Sequence, residues 1–138
     1  MLTVFSRMLF KIKYQNDNNQ YEFTSFNEIK NYDKVVYIDC SDNQLTSLPE
    51  LPNSLQVLFC SMNQLTSLPE LPNSLQYLYC HNNQLTELPN LPNSLQYLDC
   101  ENNKLTSLPN VPNSINYLYL KNNNFLTSYK YDYLNRII

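Results

Sequence analysis

Four cysteines stand at positions 40, 60, 80 and 100, and a chain with cysteines at so fixed an interval invites a metal or redox reading. Thiolate cages for zinc need ligands that converge, commonly from Cys-x-x-Cys pairs, and no such pair occurs. The single histidine, His81, follows Cys80 directly; on a strand, successive side chains take opposite faces, so His81 points away from the thiols. Thiols repeated at one ladder position form a column with neighbours about 4.8 Å apart, which is not a tetrahedral site. Buried free cysteines acting as small hydrophobes fit this pattern, and a thiol-rich core suits a reducing, cytoplasmic compartment. No metal or other cofactor is expected. His81 with Asp99 and Glu101 one period later could form a histidine–carboxylate contact, but no column of nucleophiles accompanies them, so no enzyme is expected.

The elements that position these residues follow from the interval of 20, which governs much more than cysteine. Asn43, Asn63, Asn83, Asn103 and Asn123 keep it, and so do Leu-Pro-x-Leu-Pro segments beginning at 48, 68 and 88, with Leu-Pro-x-Val-Pro at 108. These segments contain all eight prolines. One unit reads L-x-x-L-x-C-x-x-N-x-L-x-x-L-P-x-L-P-N-S, as in Leu55, Leu58, Cys60, Asn63, Leu65, Leu68 and Leu71. Leu58 and Cys60 lie two apart and share the inward face of a strand, while Val57 and Phe59 face out. Two prolines within four residues remove donors and clash with helical geometry, so this segment is expected as an extended, polyproline-II-like wall. Asparagine at the ninth position is suited to satisfy backbone groups that the turn leaves unpaired.

The pattern resembles the leucine-rich repeat, with cysteine at the third apolar position, and the short period with LPxLP is similar to the bacterial effector subtype. The resemblance runs from Val35 to about Tyr129. It implies a β-rich, right-handed solenoid of the α/β class: a parallel concave sheet of about five strands backed by the extended convex wall. The expected organisation is residues 1–34 as an N-terminal cap with a degenerate first repeat, 35–129 as repeats, and 130–138 as a C-terminal cap or tail. Phe10-Lys-Ile12-Lys-Tyr14 and Tyr21-Glu-Phe23 flank a polar Asn-rich turn and predict a β-hairpin over the first coil. Phe125-Leu126 through Ile137-Ile138 are expected to close the other end. Phe23-Thr-Ser-Phe26-Asn-Glu-Ile29 echoes Leu65-Thr-Ser-Leu68-Pro-Glu-Leu71, although the next strand, at Val35, starts two residues late.

Much of the variation between units falls at outward positions. Counted from the leading Leu, the third, fifth, seventh and eighth positions form four columns on the concave side. They are Tyr37, Val57, Tyr77, Tyr97 and Tyr117; Asp39, Phe59, Tyr79, Asp99 and Tyr119; Ser41, Ser61, His81, Glu101 and Lys121; and Asp42, Met62, Asn82, Asn102 and Asn122. Seven aromatics would then line a sheet about 20 Å wide. So large an aromatic patch marks an interaction surface, and tyrosine supplies contact area at low entropic cost. Met62, His81, Asn82, Asp99 and Glu101 would add fit and specificity. A column of like rings also packs on itself, and that purely structural use is the competing reading.

Other classes are disfavoured by composition. The net charge of −3 offers no basic footprint, so neither nucleic acid nor an anionic membrane is an expected partner. Glycine is absent, which removes the phosphate loops, dinucleotide turns and nucleophile elbows that need a residue without Cβ. The N-terminal MLTVFSRMLFKIKY is broken by Arg7, Lys11 and Lys13, so no targeting or spanning segment is expected, and no Asn-x-Ser/Thr sequon occurs. The expected function is a protein-binding adaptor or recognition module using Tyr37, Val57, Phe59, Met62, Tyr77, Tyr79, His81, Tyr97, Asp99, Glu101, Tyr117 and Tyr119. One alternative, implied by the resemblance, is the substrate-recognition part of a ubiquitin-ligase effector system. Because no catalytic cysteine motif is visible and nothing follows residue 138, any such activity is expected to come from a partner. The other alternative is a structural protein that uses the same face to form homo-oligomers.

Overall fold

A computed structural model describes residues 8–125 of the chain. Strands β1 (Phe10–Tyr14), β2 (Tyr21–Phe23), β3 (Val35–Asp39), β4 (Val57–Phe59), β5 (Tyr77–Tyr79), β6 (Tyr97–Asp99) and β7 (Tyr117–Tyr119) form one sheet in the order β2-β1-β3-β4-β5-β6-β7. From β3 to β7 every pairing is parallel, with Ile38, Leu58, Leu78, Leu98 and Leu118 in register. The expected five-stranded parallel sheet of a leucine-rich repeat solenoid is present, extended by an antiparallel hairpin. Each regular strand is only three residues long because the chain must turn twice within 20 residues to reach the next coil.

Each coil contributes the same apolar set to one continuous core. Leu55, Leu58, Cys60 and Leu65, and their equivalents in the next two repeats, are fully buried. Leu68 and Leu71 of the wall pack in behind them. The proline segments carry neither helix nor strand, as proline requires. Each wall ends in a turn in which the leading residue returns a backbone bond to the second proline, as in Leu55 N–H to Pro52 O at 3.0 Å and Leu75 N–H to Pro72 O at 3.0 Å.

Two side-chain ladders tie the coils together. Asn63 donates from Nδ2 to Cys60 O at 3.0 Å, to Ser61 O at 3.1 Å and to Cys40 O of the preceding coil at 3.0 Å. Its Oδ1 accepts from the backbone of Asn43 at 3.1 Å and Leu45 at 2.8 Å. Asn83, Asn103 and Asn123 likewise bridge to the preceding coil. The second ladder is serine. Ser74, Ser94 and Ser114 each donate to the leading residue's carbonyl one coil back at 2.6 Å, which pairs a group the parallel sheet leaves open.

The N-terminal hairpin closes the first coil. Lys11, Ile12 and Lys13 of β1 lie opposite Asp39, Ile38 and Tyr37 of β3, so the edge that β3 would expose is paired. Phe10 and Ile12 cover the core end and are buried, and Asn43 takes the asparagine ladder into the cap through Leu9, whose N–H donates to Oδ1 at 2.7 Å. The degenerate repeat follows. Lacking prolines, it winds into two short 3-10 turns, Phe26–Glu28 and Tyr32–Lys34. Ser25 caps the first turn and Phe26 stacks on Phe10 at 4.4 Å. The second turn, entered through Asn31 at φ 50°, takes up the two extra residues before Val35. The expected C-terminal closure, from Leu126 onward, lies outside the described residues.

Candidate functional site

The in-register pairing sets the outward columns side by side. Tyr37, Val57, Tyr77, Tyr97 and Tyr117 are consecutive partners, and so are Asp39, Phe59, Tyr79, Asp99 and Tyr119. The rings do not stack straight down either column. Tyr37 meets Phe59 at 5.7 Å, Phe59 stacks on Tyr79 at 4.3 Å, and Tyr79 stacks on Tyr97 at 4.5 Å. Tyr97 then contacts Tyr117 at 5.8 Å and Tyr119 at 5.5 Å. The ladder crosses between columns where a column lacks a ring: Val57 leaves room for Phe59 to meet Tyr37, and Asp99 hands the stack from Tyr79 to Tyr97. Self-packing and an outward aromatic surface therefore coexist, since the rings of the ladder stay partly or fully exposed. Tyr97 shows the effect on chemistry. Burial, and then the neighbouring Tyr79, Tyr119 and Asp99, push its hydroxyl up to about 12, so the ladder is a neutral, hydrogen-bonding surface at physiological pH.

At its N-terminal end the ladder meets a cation that the sequence reading did not single out. Lys13 Nζ lies 5.2 Å from the centre of the Tyr37 ring. The signal was available: Lys11 and Lys13 alternate with buried Phe10 and Ile12, which puts both lysines on the face that carries Tyr37.

Positions seven and eight lie past the strand ends, so their columns border the sheet face without belonging to its strands. Ser61 is 4% exposed, which removes it from the outward surface, while His81 and Glu101 are half-buried. Every described residue at position eight, Asp42, Met62, Asn82, Asn102 and Asn122, has a φ between 54° and 56°. The left-handed region is costly for L-residues and is tolerated best, after glycine, by Asn and Asp. In a chain without glycine, backbone geometry alone accounts for the residue type at four of these five positions. Met62 is the exception: an unbranched apolar side chain in the same strained conformation, 55% exposed.

The expected histidine–carboxylate contact forms, and it includes a serine. His81 Nδ1 lies 2.9 Å from Asp99 Oδ2 and 3.0 Å from Ser61 Oγ. A nucleophilic relay requires the carboxylate and the hydroxyl on different ring nitrogens. Here both address Nδ1. A proton on that nitrogen donates to Asp99 and leaves it no lone pair to activate Ser61, so the contact fixes the imidazole without building a charge relay. Asp99 also accepts the Glu101 N–H at 3.2 Å, which joins His81, Asp99 and Glu101 into one polar group beside the ladder.

The four cysteines are free and fully buried. Burial pushes the Cys40 and Cys100 thiols up to about 12 and raises Cys60 and Cys80 as well, which opposes both nucleophilic and metal-binding use. Among the described residues no group of three or more His, Cys, Asp and Glu side chains is placed to hold a metal ion, and no helix is long and apolar enough to cross a membrane. A shallow cleft of about 400 Å³ lies between the hairpin and the degenerate repeat, lined by Tyr14, Asp17, Tyr21, Phe23, Lys30 and Lys34 among others.

This architecture of 20-residue coils, an asparagine ladder and an outward aromatic sheet defines a leucine-rich repeat solenoid, and the chain belongs to that family. Residues 33–73, 53–93 and 73–113 each match the family model for leucine-rich repeats in two copies. Among solved structures the chain is similar to the leucine-rich repeat domain of a Shigella effector, at 39% identity and a TM-score of 0.65. That match covers 67% of this chain and 42% of the Shigella one. It is also similar to YopM, a leucine-rich effector protein from Yersinia pestis, at 40% identity and a TM-score of 0.59, over 60% of this chain and 24% of YopM. The chain thus spans less than half the length of either structure. No curated protein matches it at a significant level. Leucine-rich repeat domains are generally interaction modules without catalytic machinery.

Proposed function

We propose that this chain is a non-enzymatic protein-binding module, an adaptor or recognition domain, whose contact surface is the Tyr/Phe sheet face. The carrying observation is the continuous aromatic ladder from Tyr37 to Tyr119, on a sheet face whose side chains neither the core nor the coil ladders require. Aromatic side chains held rigid by their neighbours lose little entropy on contact and are the residues that dominate binding energy. Val57 and Tyr77 are register partners on the same face, and the His81–Asp99–Glu101 group and Met62 border it with polar and apolar specificity elements. The alternative is substrate recognition within a ubiquitin-ligase effector system, which the same sheet face would serve. The buried free thiols support work in the cytoplasm, or in a host cytoplasm if the chain acts inside one.

The test compares wild type with a variant carrying Phe59, Tyr77, Tyr79 and Tyr97 changed to Ser, once circular dichroism shows both to be folded. A defined partner retained by wild type and lost by at least about tenfold in the variant supports the contact surface, since ring truncations at interface centres each cost upward of a kcal/mol. If that partner is a ubiquitin-ligase component or its substrate, the alternative gains. Self-association abolished by the same changes, read by light scattering, favours the structural homo-oligomer. Capture that survives the changes sinks the aromatic-face reading and shifts attention to the cleft at the hairpin.

A further inference from the structure

An aromatic stack has two terminal ring faces, and the two ends of this ladder differ. Phe59, Tyr79 and Tyr97 each have ring neighbours on both sides. Tyr37 is the first ring, and its other neighbour is the Lys13 ammonium at 5.2 Å, so the quadrupole at that end is met by a positive charge. At the far end Tyr117 and Tyr119 both rest against Tyr97. Among the described residues neither ring carries a further ring or a cation, and they are 55% and 42% exposed. Their surroundings favour positive charge. Asp99 is the register partner of Tyr119, and the Glu101 carboxylate has no partner among the described residues. The lysine nearby on the sheet face is Lys121, in the Glu101 column, and Asp99 is already in contact with His81 Nδ1.

We propose that the Tyr117–Tyr119 end of the ladder, with Glu101 beside it, is a cation subsite that seats a Lys or Arg side chain from an extended segment of a protein partner. The subsite rests on the reading of the sheet face as the contact surface and specifies its chemistry. Lys13 on Tyr37 is the same interaction made within the chain. An incoming guanidinium would lie on the open ring faces and donate to Glu101, an arrangement a neutral side chain cannot reproduce.

The probe is the pentapeptide Ac-Ala-Ala-Arg-Ala-Ala-NH2, titrated into the full chain carrying isotope-labelled tyrosine and followed by NMR. The matching citrulline peptide keeps the shape and removes the charge. The expected result is that the arginine peptide shifts the Tyr117 and Tyr119 ring resonances saturably while the citrulline peptide binds several-fold more weakly. Tyr119→Leu, which keeps apolar volume without the quadrupole, should weaken arginine binding roughly two- to fivefold. Glu101→Gln should weaken it similarly and flatten its salt dependence. Equal binding of the two peptides, or shifts that spare Tyr117 and Tyr119, overturns the subsite. Binding that emerges only when Lys130 and Arg136 are changed to Gln also overturns it, in favour of the chain's own C-terminal segment as occupant. The two readings fail separately: a partner lost by the four-ring variant but held undiminished by Tyr119→Leu and Glu101→Gln leaves the contact surface standing without a cation subsite.

Discussion

At the scale of single residues, adjacent asparagines in this chain have unrelated reasons for being there. Asn82 is required by a left-handed backbone, whereas Asn83 is required by the carbonyls of Cys60 and Cys80 that it bonds. The sequence shows the two columns as one Asn-Asn run, so the ninth-position ladder is legible from the repeat, while the left-handed backbone of the exposed eighth column is not. Met62 exposes the difference, because it alone among the five holds φ 56° with neither a small nor a hydrogen-bonding side chain. Met62→Asn should therefore stabilise the protein by about 1 kcal/mol, a rise of a few degrees in Tm by calorimetry. If Met62 also contacts a partner, the same variant will bind less while melting higher. A residue kept only for structure cannot give that opposition of signs, and strain retained at a functional position predicts it. A lower Tm for Met62→Asn would refute the strain account.

At the scale of elements, the units are held together as much by their polar ladders as by the leucine core. Asn63 illustrates this: Asn63→Ala would orphan the Asn43 and Leu45 N–H groups and the Cys40 carbonyl at once, whereas the Cys60 carbonyl keeps Asn83 and the Ser61 carbonyl keeps the Asp42 N–H. Each buried unpaired group costs about 1–3 kcal/mol, so a loss of roughly 3 kcal/mol is expected in urea unfolding. Asn123 is only half-buried at the last described coil, so water can replace its bonds and Asn123→Ala should cost about 1 kcal/mol or less. Equal losses at the two positions would mean that burial does not set the strength of the ladder. The strands, the hairpin cap and the in-register columns were all legible, because a 20-residue period and residue alternation are local signals. The serine ladder, the diagonal course of the rings and the Lys13–Tyr37 contact were not. Ser74 reaches a carbonyl 19 residues back, and which rings touch depends on whether Val57 or Asp99 leaves a gap, so both are properties of stacked coils and of no single repeat.

At the scale of the whole molecule, stacking makes one continuous core, and the thiol column gives that core a pH limit that can be worked out in sign. Cys40 and Cys100 ionise at about 12 in the folded chain and Cys60 and Cys80 also well above the ordinary value of 9.0, because a thiolate has no compensation inside the solenoid. Below pH 9 the thiols are protonated in both folded and unfolded chains, and stability is unaffected by them. Between 9 and 12 the unfolded chain releases protons that the folded chain retains, so the unfolded state gains and stability falls as pH rises. Each thiol contributes on the order of 1 kcal/mol per pH unit through that window. Because neighbouring coils share one core, the four titrations should act on one cooperative transition, with urea midpoints steady from pH 7 to 8.5 and falling steeply above 9. Cys60→Ala combined with Cys80→Ala should lower stability at pH 7 through the small cavities left behind, yet roughly halve the slope between pH 9 and 10, before the raised tyrosines Tyr32 and Tyr97 add to it. An unchanged slope in the double variant would assign the alkaline loss to groups other than the thiols, with the half-buried Tyr32, whose hydroxyl is also raised to about 12, as the next to substitute.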